Sequence, residues 1–213
     1  MSTKNKANDP NDLSFIEKAR RAQIVQCAIE TISEVGYAQA SIGQIAKRAN
    51  VSKGVITYHF ASKDDLLEEV VAAYAISAEA FIRPVVANAA TPKERLRKYM
   101  EANLAFIAEH REMVFAVVEI AAGMRTKDGK LRFSADADEG IYQPIEEILY
   151  AGAEAGCFRT FTPLSARVTA LAIRHAIDGF SLELMRTPDL SVKEYTEELI
   201  GIFERAVSNV DYE

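Results

Sequence analysis

Apolar residues recur along almost the whole chain at steps of three and four, the spacing that gathers side chains on one face of a helix. Ile24, Ala28 and Val35 lie on one stripe with Val25, Ile29 and Ile32 beside it, which predicts a first helix from Ser14 or Phe15 to Val35, stopped by Gly36. A second, short helix follows Ser41, with Ile42, Ile45, Ala46 and Ala49 as its buried stripe. Ser41 and Gln44 form a capping-box pattern at its start. Asn50 tolerates the left-handed conformation that ends such a helix, and Val51 is expected to enter the core. Ser52 then caps a third helix. Its Val55, Ile56 and Phe60 can face inward, leaving Lys53, Gly54, Thr57, Tyr58 and His59 outside.

The same periodicity continues to the C-terminus. Ser62 caps a helix with Asp64 and Asp65 in its first turn, running through Leu66, Leu67, Val70, Val71 and Tyr74 towards Pro84. Thr91 and Pro92 open another, carrying Leu96, Met100, Asn103, Phe106 and Ile107. The segment from Glu112 to Met124 is apolar almost all round and is expected to be central and buried. Arg125 to Ser134 reads as a charged loop with an Asp128–Gly129 turn. Helices are expected from about Asp138 to Ala155, from Pro163 to Arg186 and from Ser191 to Asn209. Strand signals are weak throughout, so the fold class is all-α. The domain reading is a flexible arm over 1–13, a small three-helix domain over 14–61 and a larger helical domain over 62–213.

Composition narrows the class. Residues 1–14 are polar and do not resemble a signal peptide, and the apolar run Met113 to Val118 is far short of a membrane span, so a cytoplasmic protein with no membrane partner is expected. Cys27 and Cys157 are isolated within apolar patterns and suit buried thiols better than a disulfide. The Asp136–Asp138 pair lacks the glycine and terminal Glu of a calcium loop, and no metal or cofactor is expected. The net charge of −6 argues against nucleic acid until its distribution is considered. The first 60 residues carry eight Lys/Arg against five acids, and the remaining 153 carry 17 against 26. A basic head on an acidic body still attracts phosphate locally, because charges beyond a Debye length are screened.

The outer face of the third helix offers a cation, a glycine, a hydroxyl, a phenol and an imidazole. Such a set suits phosphates and base edges, which need short-range donors and one place of close backbone approach. Two short helices joined by a tight turn, the second so equipped, read as a helix-turn-helix. Arg20 and Arg21 could reach the DNA backbone or form an ordinary solvated turn.

Beyond the motif, residues 17 to 70 resemble the DNA-binding domain of the TetR family of bacterial repressors. The resemblance is carried by Ile24 to Ile32, Gly36-Tyr37, Ser41-Ile42-Gln44-Ile45-Ala46, Val51-Ser52-Lys53-Gly54, Tyr58-His59-Phe60 and Lys63 to Leu67. It implies a regulator that is not an enzyme, with a helical body that binds a small-molecule effector and dimerises. Operator DNA would meet Ser41, Gln44, Ser52, Lys53, Gly54, Thr57, Tyr58, His59 and Lys63. Gln44 and Thr57 would read bases, while Lys53, Tyr58, His59 and Lys63 would grip phosphate.

The stripes of the last two helices fit either intrachain core or interface by periodicity alone. The resemblance favours a homodimer through Leu171, Phe180, Leu199, Ile202 and Phe203, reading a palindromic operator. An effector pocket is expected among Phe106, Met113, Val117, Met124 and Tyr142, with Glu119, His175 and Asp178 as polar groups inside apolar patterns. Two other readings stand beside this one. A DNA-binding regulator without a ligand would use the body for dimerisation only. An all-α enzyme is disfavoured because His59, His110 and His175 have no acid, Ser or Cys partner at catalytic spacing.

Overall fold

The computed structural model describes residues 14–133 and 139–209. The expected arm over 1–13 and the rejected calcium pattern at 136–138 lie outside them. Nine helices and no strand are found among the described residues, with one isolated bridge between Arg125 and Leu131. The chain divides into two compact units, residues 1–72 and 73–213.

The first unit begins with α1 (Phe15–Val35). Ser14 caps it: its hydroxyl accepts from the Glu17 amide, and the Glu17 carboxylate accepts from the Ser14 amide. Gly36, at φ 79°, ends it by donating its amide to the Ile32 carbonyl at 2.8 Å, at a positive φ that favours glycine. α2 (Ile42–Arg48) and α3 (Lys53–His59) follow. Ile24, Ala28, Ile32, Ile45, Ile56 and Phe60 are buried, together with Leu66, Leu67 and Val70 of α4 (Lys63–Ala87). Those three α4 residues explain why the division falls after Ala72 and not at the expected 61. Val51 is only half-buried, contrary to its expected place in the core.

α4 runs past Pro84, which stands in its last turn where the missing amide costs a single helical bond. It is also long and apolar enough to cross a membrane by length and composition, with a mean hydropathy of 1.5. Several of its apolar side chains have protein partners, while Ile76 is exposed. Leu66, Leu67 and Val70 are buried in the first unit, and Tyr74, Ala78, Phe81, Ile82 and Val86 pack on the core of the second.

In the second unit α5 (Pro92–Glu109) is the central helix, packing against α6 (Arg111–Gly123), α7 (Glu139–Glu154), α8 (Pro163–Arg186) and α9 (Val192–Val207). The expectation that Glu112–Met124 would be central is corrected. Within α6 only Val114, Ala116 and Ile120 are buried, because the helix covers α5 and α8 from one side. Arg97 ties α5 to α9 through a two-point contact with Glu204, both distances 3.0 Å, and a 3.2 Å contact with Glu197. These pairs are half-exposed, so they add little beyond the apolar packing beneath them.

Gly152 near the end of α7 allows Phe158 to fold under the helix. A Cβ built there would lie 1.9 Å from the Phe158 ring, which is buried. Replacing a helical glycine by alanine ordinarily stabilises by about 1 kcal/mol. Here the sign should reverse, with Gly152→Ala losing roughly 1–3 kcal/mol through overpacking. Urea unfolding monitored by circular dichroism checks it, and a stabilised variant would show that the ring can retreat.

Candidate nucleic-acid interface

The angle between α2 and α3 is set by hydrogen bonds around Asn50. This is the one non-glycine residue with positive φ (53°) among those described. The Asn50 amide donates to the Lys47 carbonyl at 3.2 Å and the Val51 amide to the Ala46 carbonyl at 3.0 Å. That pair of bonds is a Schellman motif, which satisfies the last carbonyls of α2 and turns the chain sharply. Ser52 then caps α3 by accepting from the Val55 amide at 3.3 Å. Asparagine meets a smaller steric penalty in this conformation than most non-glycine residues, so the turn is written into the sequence.

The turn leaves Lys53, Gly54, Thr57 and Tyr58 exposed on α3, as expected, with Ser41, Gln44 and Ser52 exposed nearby. Gln44 is partly committed. Its Oε1 accepts from the Ser41 amide at 2.9 Å and from the Ser41 hydroxyl at 2.7 Å, so the side-chain amide nitrogen is the group left to donate outward. Thr57 donates its hydroxyl proton to the Gly54 carbonyl at 3.1 Å and presents an acceptor and a methyl. A Cβ on Gly54 would meet nothing closer than the Ser52 hydroxyl at 3.6 Å, so no crowding within the chain requires glycine there. Gly43 has a reason inside the chain. Lys53 lies over it, with Cε 2.9 Å and Nζ 3.4 Å from where a Cβ would stand. Its only signal in the sequence is a helix-disfavouring residue at the second position of α2, which does not point to Lys53.

Two cations near this face, Lys63 and Arg21, turn inward, while Arg20 stays exposed. The Lys63 ammonium donates to the carbonyls of Ala40 at 2.6 Å and Tyr37 at 3.3 Å and stands 5.0 Å from the Tyr37 ring centre. The free protein therefore uses Lys63 to hold the loop before α2, which spacing alone could not reveal. Arg21 donates to the His59 carbonyl, pairs with Glu69 at 2.8 Å and lies 4.3 Å over the Phe60 ring. Arg20 donates to Gln23 at 2.6 Å. His59 is half-buried, not outside as expected. Burial, and next the Arg21 guanidinium, lower its pKa below the ordinary histidine value.

The Tyr58 hydroxyl, expected to be free for phosphate, donates to Glu17 Oε1 at 3.2 Å, and its ring meets His59 edge-on with 5.0 Å between centres. Nothing in the sequence pattern brings Glu17 to this face. It accepts from Ser14 as well, and these bonds, the Ser14 ones first, lower its pKa.

In the second unit the expected pocket residues divide. Phe106, Met124 and Tyr142 are buried, and Met113, Val117 and Glu119 are half-buried. His175 and Asp178 are exposed on the outer face of α8 and so leave the expected lining. Asp178 accepts two bonds from Arg174, which also donates to Asn103 Oδ1 at 3.2 Å. Asn103 is the buried polar residue of α5, and its amide donates to the Tyr99 carbonyl at 2.7 Å. Arg174 and Asn103 are thus the polar pair in the interior that apolar patterning concealed.

The expected dimer residues divide as well. Phe180 is fully buried and Phe203 nearly so, both in the intrachain core, while Leu171 and Leu199 are half-buried against it. Only Ile202 is exposed. Leu164, Val168, Leu182 and Met185 are exposed on one side of α8, at a spacing that in the sequence fits a core stripe equally well.

The geometry is that of an all-α protein presenting a helix-turn-helix, with the second helix offered to a nucleic acid. Residues 24–70 match the family model described as "Bacterial regulatory proteins, tetR family". Over this stretch the chain resembles the TetR family of bacterial regulatory proteins.

Among curated relatives, the HTH-type transcriptional regulator BetI 1 of Chromohalobacter salexigens is 37% identical over 89 residues, 41% of this chain and 44% of the relative. BetI of Yersinia pestis (strain Pestoides F) is 45% identical over 53 residues, 25% of this chain and 27% of that protein. The chain thus aligns with less than half the length of these relatives. Among solved structures, the fatty acid degradation regulator FadR from Bacillus halodurans has a TM-score of 0.74 at 22% identity, covering 93% of this chain and 97% of its own. FadR from Bacillus subtilis, in complex with stearoyl-CoA, has a TM-score of 0.70 at 21% identity, covering 87% and 98%. At those identities the likeness is one of fold.

Proposed function

We propose that this chain is a cytoplasmic repressor that binds a palindromic operator as a homodimer and is released by a small-molecule effector. The observation that carries the reading is the outward face of α3, where Lys53, Gly54, Thr57 and Tyr58 are exposed around a glycine that the chain's own packing does not require. Close approach from outside gives that glycine a purpose. Gln44 and Thr57 read base edges, and Lys53 grips phosphate with Ser41, Ser52 and Tyr58 around it. His59 contributes from its half-buried position, and Lys63 mainly by holding the loop. Lys53→Ala should weaken binding to all sequences together and flatten the salt dependence, by up to about 0.9 in log–log slope for each phosphate left unneutralised. Thr57→Val should instead relax specificity at one position of each half-site, costing about 1–3 kcal/mol. Both are measured by fluorescence anisotropy on a duplex selected from a random pool, and an unchanged Lys53→Ala would place the docking face elsewhere.

Homodimerisation uses the outer side of α8. Leu164, Val168, Leu182 and Met185, with Ile202 on α9, are too many large apolar groups for a helix pair to leave in water. Ala172 and Gly179 lie along the same side, and a Cβ on Gly179 would meet nothing within 4 Å, so a second helix can come close. Val168→Glu should give a folded monomer, whereas Phe203→Glu should unfold the second unit because Phe203 is in its core. Light scattering with circular dichroism separates the two. A wild-type monomer at micromolar concentration would remove the dimer.

The effector binds in the second unit, among Phe106, Met113, Val117, Met124 and Tyr142, with half-buried Glu119 as a polar contact. α4 transmits the change by favouring a different placement of α3, and linkage then requires operator DNA to weaken the effector by the same factor. FadR from Bacillus subtilis, whose structure contains stearoyl-CoA, supports the choice of a ligand-responsive body for this fold. An effector found by screening on the operator complex should release Glu119→Gln less readily, with a several-fold higher half-point. Unchanged release would take Glu119 out of the pocket.

A further inference from the structure

We propose that Glu17 is an intramolecular stand-in for a DNA phosphate, holding the Tyr58 hydroxyl in the free protein and yielding it when operator binds. The inference rests on the DNA-reading face proposed above. A phenol has one proton to donate. In the free protein that proton goes to Glu17 Oε1, 3.2 Å away and 41 residues back in the chain. A phosphate gripped by the Tyr58 hydroxyl must take the same proton, so carboxylate and phosphate compete for one donor.

The carboxylate is well placed to compete. Its other oxygen, Oε2, accepts from the Ser14 amide at 2.9 Å and from the Ser14 hydroxyl at 2.8 Å. The cap of α1 thereby fixes the group and leaves Oε1 for Tyr58. The phenol ring is steered from the other side by His59, edge-on at 5.0 Å. Nearby arginines do not neutralise the acid: Arg21 is paired with Glu69, and Arg20 is bonded to Gln23. Among the described residues no lysine or arginine forms an ion pair with Glu17.

Tyr58 is 71% exposed, so the contact leaves its ring largely in solvent and the phenol within reach of a partner. The effect of the contact falls on binding. Before Tyr58 can grip phosphate it must leave an anionic acceptor, and a charge-assisted bond is roughly twice as strong as a neutral one. After the exchange the freed carboxylate stands beside the phosphate. Glu17 therefore lowers operator affinity through Tyr58 specifically and through its charge generally, and the two contributions can be separated.

The test is a double-mutant cycle on the full-length protein with Glu17→Gln, Tyr58→Phe and the pair, measuring operator affinity by anisotropy at fixed salt. Glutamine keeps one carbonyl oxygen for the Ser14 cap and places an NH2 group, which cannot accept, where Oε1 met Tyr58, so the fold is kept while the phenol loses its acceptor, and circular dichroism melting verifies the fold. Glu17→Gln should tighten operator binding by about three- to tenfold, as expected when a charge-assisted bond that competes with the phosphate is removed. In the Tyr58→Phe background the gain should fall to less than about half of that on a logarithmic scale. An equal gain in both backgrounds would mean repulsion alone and overturn the stand-in, as would no gain or a loss in Glu17→Gln. Lys53→Ala measured alongside keeps the two readings apart. If it weakens binding while Glu17→Gln changes nothing, only this inference fails. If Lys53→Ala also has no effect, the DNA-reading face itself is wrong.

Discussion

The turn at Asn50 is the constraint on which the DNA-reading unit depends. Four residues separate the last residue of α2 from the first of α3, and in that space the chain must satisfy the carbonyls of one helix and the amides of the next. The left-handed residue lets the Asn50 and Val51 amides turn back onto α2, and Ser52 then takes over the capping of α3. With both helix ends satisfied locally, the direction of α3 is fixed by backbone hydrogen bonds and not by long side chains. Of its outward residues, Thr57 and Tyr58 make only exposed hydrogen bonds, to the Gly54 carbonyl and to Glu17, which a second macromolecule could exchange. Phe60 and Ile56 complete the arrangement by burying the opposite side of α3.

Charge is then distributed by the same logic. Several cations of the first unit are committed to the chain itself: Arg21 to Glu69, the His59 carbonyl and the Phe60 ring, Lys63 to two carbonyls, and Arg48 to Glu30 and Glu34. Lys53 remains exposed on α3, the face proposed to meet phosphate. An acidic protein can bind DNA under these conditions because screening confines the relevant field to about 8–10 Å around the docked face. The local balance is modest, so one carboxylate at that face, Glu17, can matter as proposed.

The helices, their caps and the turn were legible in the sequence because each rests on residues close in the chain. Ser41 with Gln44, Asn50, Thr91 with Pro92, and Pro163 all act within one turn, and the structure places them at the ends they announced. What a residue faces across the fold was less legible. Lys63 occupies a helix start that would suit phosphate binding, yet carbonyls 23 and 26 residues away take its ammonium. α6 is apolar almost all round, but α5 holds the centre because α6, α7, α8 and α9 all pack on it, whereas α6 rests mainly on α5 and α8. Asp178 stands in an apolar pattern and is the exposed end of a pair with Arg174. Periodicity fixes which residues share a face; which face is covered is decided by partners far along the chain.

α8 carries this point furthest. Gly179 and Phe180 are neighbours in sequence with opposite fates, the ring buried in the chain's own core and the glycine beside open space. A helix with apolar residues on both sides cannot be satisfied by a single layer of neighbours. Its inner stripe (Ala166, Ala170, Ile173, Ile177, Phe180, Leu184) holds the unit together, so mutations there report on folding. Its outer stripe, from Leu164 to Met185, makes no such contribution in the isolated chain, so its apolar character needs a cause outside it. His175 and Asp178 lie on that outer side, where they would meet a partner before any ligand. The two stripes turn an ambiguous amphipathic pattern into two separable roles, and the proposed dimer depends on only one of them.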